Sequence, residues 1–159
     1  DKLTVEWTPP SDGPERPCVR VLRADGTDTG IAFHGVPGGH EFNSFVVGLY
    51  NAAGPGQSID PALAEAIAAI DRPLDLQIVV ALSCTMCPEL VIAAQKIAAS
   101  NPLVTAKVYD VNHFPELRER YKIMSVPCLI INKAKVAFGK KTLGQLLELL
   151  AEPEAGQTG

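Results

Sequence analysis

No stretch of this sequence reaches the ~18 consecutive apolar residues that a membrane span needs, and no secretory leader is visible. It also lacks a basic cluster. Lys and Arg number 14 against 18 Asp and Glu, a formal charge of −4, which argues against a phosphate-backbone partner and hence against nucleic acid. No G-x-G-x-x-G is present, so the chain carries no dinucleotide fingerprint of its own. Four cysteines in 159 residues are too few to be a disulfide framework. What is abundant is apolar residues, at 47%, which supply a core for one medium domain or two small ones packed as a unit. The chain opens on Asp1 rather than Met, which reads as a product of processing or a piece of something longer.

From residue 60 onward the pattern is clear. "IDPALAEAIAAIDRP" predicts a helix with Asp60 as N-cap and Pro61 at its first position. "LDLQIVVAL" is a short apolar run, hence a strand covered on both faces. "CPELVIAAQKIAASNP" has helical spacing and stops before Pro102; "VTAKVYDV" is a second strand and "FPELRERYK" a short helix opening at Pro115. "PCLIIN" and "KVAFG" read as two strands about a tight turn, and "TLGQLLELLAE" as a closing helix. The order after the opening helix is βαβαββα, with parallel pairing expected across the crossovers and an antiparallel final hairpin.

Residues 1–59 hold a repeat of the last part of that unit. The segments from Pro17 and from Pro127 each run Pro-Cys, strand, polar turn, a strand containing Ala-Phe (Ala32-Phe33 and Ala137-Phe138), then a helix. We therefore expect an α/β chain with a partial unit over 1–59, a complete one over 60–151 and a tail or linker over 152–159.

The chemistry centres on "LSCTMCP". A thiol-disulfide enzyme needs an accessible cysteine that ionises readily and a second within reach to resolve the mixed disulfide. Between a strand and a helix, Cys84 would lie at the helix start, where the unpaired N–H groups favour its anion, and Cys87 one turn in, behind the surface. Cys84 is thus the nucleophile and Cys87 the resolving thiol of a redox-active pair. "SVPCL", some 40 residues on, predicts a cis Val126–Pro127 bond opposite the pair. It would present the Val126 backbone to a substrate chain, with Thr85 and Met86 between the cysteines as further substrate-binding residues. A single C-x-x-C of this kind fits a reducing compartment, the cytoplasm.

With "GHEF" (Gly39 to Phe42) in the first unit, "LSC-x-x-CP" and "VP", the chain resembles the thioredoxin-glutaredoxin superfamily. Within it, the resemblance is to the N-terminal domains of alkyl hydroperoxide reductase flavoprotein subunits. It implies two fused thioredoxin-like units, the first partial and without a redox pair. It also implies electron relay from a flavoprotein reductase carrying FAD and NAD(P)H, on a partner or fused domain, to a peroxiredoxin or other protein disulfide. By the same resemblance Glu41 matches an acidic residue near the pair, a proton acceptor for the thiols. The chain departs from the family in lacking the first unit's opening strand and helices, and in carrying Cys128 where a small apolar residue is usual. The W-C-x-x-C of ordinary thioredoxin is also missing, since Trp7 stands far from the pair.

The residues leave other readings open. Cys84 and Cys87 as half of a zinc site would need Cys18 and Cys128, which read instead as small buried hydrophobes in strands. Glu41 also suits the first turn of a helix on dipole grounds alone. His40 reads as a helix-start residue, and His34 and His113 have no companions in sequence. A general glutaredoxin-like disulfide reductase, and a docking module with a structural C-x-x-C, are the rival functions.

Overall fold

The computed structural model describes residues 3–8 and 15–153; the expected tail lies outside them from residue 154. The strands are β1 (Cys18–Leu22), β2 (Asp28–His34), β3 (Leu74–Val80), β4 (Val104–Asp110), β5 (Cys128–Ile131) and β6 (Lys135–Phe138). The helices are α1 (Glu41–Ala53), α2 (Pro61–Ala68), α3 (Cys87–Ser100), α4 (Glu116–Tyr121) and α5 (Leu143–Ala151). All six strands join one mixed sheet in the order β1-β2-β4-β3-β5-β6. This is a thioredoxin-like α/β fold.

Local chemistry accounts for most element boundaries. Asp60 caps α2 by accepting from the Ala62 N–H at 2.8 Å, ahead of Pro61. Thr142 and Gln145 form a reciprocal capping box on α5. The α3 C-cap, Asn101, donates its side-chain amide to Ile67 O and Ile70 O, tying the exits of α2 and α3 together. β3 lies at the centre of the sheet, where Leu76, Ile78, Val79 and Val80 are fully buried.

The chain path differs from expectation at one crossover. β4 is parallel to β3, but β5 runs antiparallel to it. The link between them holds only α4, whose six residues rise about 9 Å, so it has no helix to match the crossover that α3 makes along a seven-residue strand of about 23 Å. The chain therefore re-enters the sheet at the end where it left. Pro115 is the N-cap of α4 rather than its first residue.

The early hairpin extends the sheet, because β2 pairs in parallel with β4 from Ile31–Ala106 to His34–Tyr109. One face, carrying Ile31, Phe33, Ile78, Val108 and Leu129, packs under α1, α3 and α5. On the other, Val79, Tyr109, Cys128 and Ile130 pack with Phe114, Leu117 and Ile123 of the α4 segment.

The repeat is present in space, with a corrected alignment. The Gly35 N–H donates to Pro17 O at 2.7 Å, and the Gly139 N–H to Pro127 O at 3.1 Å, so each hairpin closes the same way. Cys18 then pairs with His34, and Cys128 with Phe138. Phe33 thus corresponds to Ala137 rather than to Phe138, and the shared Ala-Phe letters are one residue out of register. A second correction concerns Cys18, which is exposed. β1 is the edge strand, and α4 covers the other end of that sheet face, so among the described residues Cys18 lacks the cover that buries Cys128.

Candidate active site

The turn between β3 and α3 carries the two cysteines. The Cys84 N–H donates to Ala81 O at 3.0 Å, closing a turn, and Met86 is the N-cap of α3. Cys87 is therefore the first helical residue, not one turn inside as expected, and Cys84 lies three residues before it. The division of exposure stands all the same: Cys84 is half-buried and Cys87 fully buried. Both are free thiols.

The Val126–Pro127 bond is cis. The Val126 carbonyl faces Cys84, whose Sγ lies 3.9 Å from it. Pro127 is buried beneath, while Thr85 and Met86 are exposed on the near side of Cys84. Met124, two residues before Val126, is 84% exposed and adds an adaptable apolar side chain that the sequence reading missed.

The early ββα unit reaches this turn through "GHEF". The His40 N–H donates to Leu82 O at 2.9 Å. Gly39 has φ +53°, and a Cβ there would stand 2.5 Å from Leu82 O, so only glycine permits the approach. His40 is the N-cap of α1 without a side-chain cap bond, and Glu41 is the first helical residue.

Glu41 is fully buried. Its Oε2 accepts a short hydrogen bond from the Ser44 hydroxyl, while Oε1 is buried with no partner. Burial pushes the carboxyl above its ordinary value, partly offset by the Ser44 bond. Ser44 is held in turn. Its carbonyl accepts from Gln95 Nε2 at 2.8 Å, and Gln95, from α3, fills the notch left by Gly48, where a Cβ would meet it at 2.8 Å. The sequence reading passed over Ser44, Gly48 and Gln95. The available signal was a lone Gln amid the alanines and isoleucines of α3, opposite a glycine inside a helix.

Cys87 registers this surround. Its thiol is pushed up chiefly by burial, then by its hydrogen bond to Cys84, the Cys84 charge and the Glu41 charge; a backbone bond near Ala81 opposes them. The Glu41 carboxylate of α1 is thus the smallest of the influences raising the Cys87 thiol of α3, across the α1–α3 contact. Cys128 lies on the opposite sheet face, its thiol raised to about 11 by burial. Among the described residues no three His, Cys, Asp or Glu side chains are placed to hold a metal ion. No helix there is long and apolar enough to cross a membrane.

A thioredoxin-domain family model matches residues 74–151. The alkyl hydroperoxide reductase F subunit of Pseudomonas aeruginosa is 33% identical over 98% of this chain and 29% of its own length. A Bacillus subtilis protein named NADH dehydrogenase is 30% identical over 92% of this chain and 28% of its own. The chain thus spans about 30% of the length of these curated relatives. Among solved structures, the NTD_N/C domain of alkylhydroperoxide reductase from Enterococcus faecalis superposes with a TM-score of 0.83 at 42% identity, over 86% of this chain and 66% of that one.

Proposed function

The chain belongs to the thioredoxin-fold thiol-disulfide oxidoreductases similar to the N-terminal part of the alkyl hydroperoxide reductase flavoprotein, and from that premise we propose that it relays electrons between a flavoprotein reductase and a protein disulfide. The observation that carries the reading is a half-exposed Cys84 against the Val126 carbonyl, backed by a fully buried Cys87 within the field of a buried, half-unsatisfied Glu41.

In this reading residues 60–151 are the redox-active unit, and 1–59 a partial unit without a redox pair that supplies Glu41. Cys84 Sγ attacks the partner's disulfide, forming a mixed disulfide and expelling one partner thiolate. That step removes the Cys84 charge and thiol bond that, after burial, most oppose ionisation of Cys87. Cys87 then passes its proton to Glu41 and attacks Cys84 Sγ. The Cys84–Cys87 disulfide forms, and the second partner thiolate leaves. The substrate strand lies along Val126, held at the cis bond by Pro127 and flanked by Thr85 and Met86.

The pair is recharged by a reductase dithiol. FAD and NAD(P)H reside on that partner or fused module, which the likeness to a protein named NADH dehydrogenase supports; no dinucleotide motif exists in this chain. The acceptor is a peroxiredoxin disulfide, in the cytoplasm. Reduced chain mixed with an oxidised two-cysteine peroxiredoxin should transfer its electrons far faster than to insulin. Equal rates would select the general disulfide reductase instead, and no transfer to either would leave a docking module.

A further inference from the structure

Away from Cys84 and Cys87, a second thiol stands beside a base. Cys18 and His34 are direct cross-strand partners on β1 and β2, so their side chains leave the same sheet face as neighbours. Cys18 Sγ lies 3.8 Å from His34 Nε2, and His34 Nδ1 lies 2.8 Å from the Glu15 carbonyl oxygen. A carbonyl only accepts, so Nδ1 carries a proton, and it is the neutral form of this tautomer that turns an Nε2 lone pair to the thiol. The ring is 4% exposed and fixed in place. It stacks on Tyr109 at 4.2 Å and 3°, and Phe114 meets it edge-on. The Tyr109 hydroxyl donates to Glu15 Oε1 at 3.3 Å, holding the segment that orients the imidazole. Nucleophile, base and orienting acceptor thus stand in line.

The dyad opens on a cleft of about 780 Å³ in which Arg16, Arg20 and Lys107 outnumber the carboxylates of Glu15 and Asp28, with the exposed side of Cys18 on its wall. Arg20 pairs with Asp28 in the open, the kind of pair an incoming anion exchanges at little cost, and Lys107 lies 3.6 Å from a part-buried Asp75. We propose that Cys18 and His34 form a second thiol-exchange site, which takes a low-molecular-weight, carboxylate-bearing disulfide and retains half of it. His34 Nε2 accepts the Cys18 proton as Sγ attacks one sulfur of the disulfide. One S–S bond forms to Cys18, the original S–S bond breaks, and the proton passes from His34 to the departing thiolate. Electrons balance, since one disulfide replaces another. Burial raises the Cys18 thiol, with Arg20 as the main opposing charge, so it rests as a thiol and relies on the base. The corresponding pair in the second hairpin, Cys128 and Phe138, has neither exposure nor base.

The test uses the full chain with Cys84→Ser and Cys87→Ser, reduced and then exposed to oxidised glutathione, and read by intact and peptide mass. A single adduct on Cys18 is expected. It should form faster in the folded chain than on Cys18 of the same chain unfolded in urea. His34→Asn, which keeps a donor for the Glu15 carbonyl and removes the base, should slow it by about 10-fold or more. In the chain with its cysteines intact, the same substitution should leave insulin reduction unchanged. Uncharged hydroxyethyl disulfide should react several-fold more slowly than oxidised glutathione. Folded and unfolded rates that agree, or an adduct rate indifferent to His34→Asn where the same substitution leaves insulin reduction intact in the chain with all its cysteines, overturns the dyad; equal rates with the two disulfides overturn the carboxylate class.

Discussion

The hairpins β1–β2 and β5–β6 share a frame and part company in what each does with it. Each begins Pro-Cys after a cis bond, closes with a glycine N–H on the proline carbonyl, and leads to a helix packed on α3. In the second, α4 and its neighbours cover the cysteine, Phe138 stands across from it, and the thiol is buried. In the first, the cysteine is exposed at the sheet edge and a histidine stands across from it. The helices diverge likewise. α5 starts on a complete capping box. α1 starts on His40, which has no side-chain cap bond, and gives its first position to a buried carboxylate. One helix start is closed by a full cap, and the other gives its first position to a buried carboxyl group that the proposed mechanism uses as a proton acceptor.

Cysteine substitutions give the largest expected contrast. Cys84→Ser should abolish insulin and peroxiredoxin disulfide reduction, and Cys87→Ser should trap a mixed disulfide on Cys84, visible as an added partner mass. Cys18→Ser and Cys128→Ser should leave both reductions within about twofold of the unaltered chain. A loss with Cys128→Ser matching that of Cys84→Ser would mean the two sheet faces are not separate in function.

The two helix starts should separate rate from stability. Glu41→Gln keeps the shape and removes the base, so resolution of the mixed disulfide should slow by about 10- to 100-fold, at or below the usual range for general-base catalysis. Thr142→Ala should cost about 1 kcal/mol of stability through the lost cap and leave that rate alone. Rapid-quench transfer assays and urea titrations of both variants read the two effects. A Glu41→Gln chain transferring at the unaltered rate reduces Glu41 to a helix-start residue.

What the sequence disclosed depended on the range of the interaction. Asp60-Pro61 and the apolar run of β3 are set within a few residues, and they were readable. So was the placement of Cys84 and Cys87, the one half-buried and the other buried, since strand, turn and helix adjoin them. The antiparallel β5 followed from the shortness of α4, a quantity the sequence shows but whose consequence needs the sheet. Exposure of Cys18 turns on whether a distant helix covers an edge strand, which its apolar neighbours do not encode. The His34 pairing with Cys18 depends on cross-strand register, and the shared Ala-Phe letters pointed one residue astray. Glu41, Ser44, Gly48 and Gln95 meet only because α1 crosses α3.

The glycines inside the two helices sharpen the contrast at a smaller scale. Gly48 faces Gln95 so closely that Gly48→Ala must displace it, at about 1–3 kcal/mol, and should loosen Ser44 and slow transfer with it. Gly144 in α5 has room, with Leu63 3.7 Å from a built Cβ, so Gly144→Ala should stabilise by about 0.5 kcal/mol on helix propensity. Urea midpoints moving in the same direction for both would refute the close α1–α3 fit.

The smallest effect is a slope. Burial raises the Glu41 carboxyl, so between its unfolded value near ~4.3 and its folded value the native state binds a proton that the unfolded state has released. Over that window stability falls as pH rises, by a fraction of the ~1.4 kcal/mol per pH unit that one proton allows. Glu41→Gln has no such proton to hold, so its stability relative to the unaltered chain should climb as pH is raised through the window and then level off. Ser44→Ala works the other way. It removes the hydrogen bond that favours the ionised form, so the native carboxyl should keep its proton to higher pH and the decline should extend further. Urea unfolding of the reduced chain between about pH 5 and 8 stays below the ordinary thiol range. Parallel stability curves for the three chains would mean that Glu41 ionises as freely in the fold as out of it, and that the carboxylate beside Cys87 is not held for proton transfer.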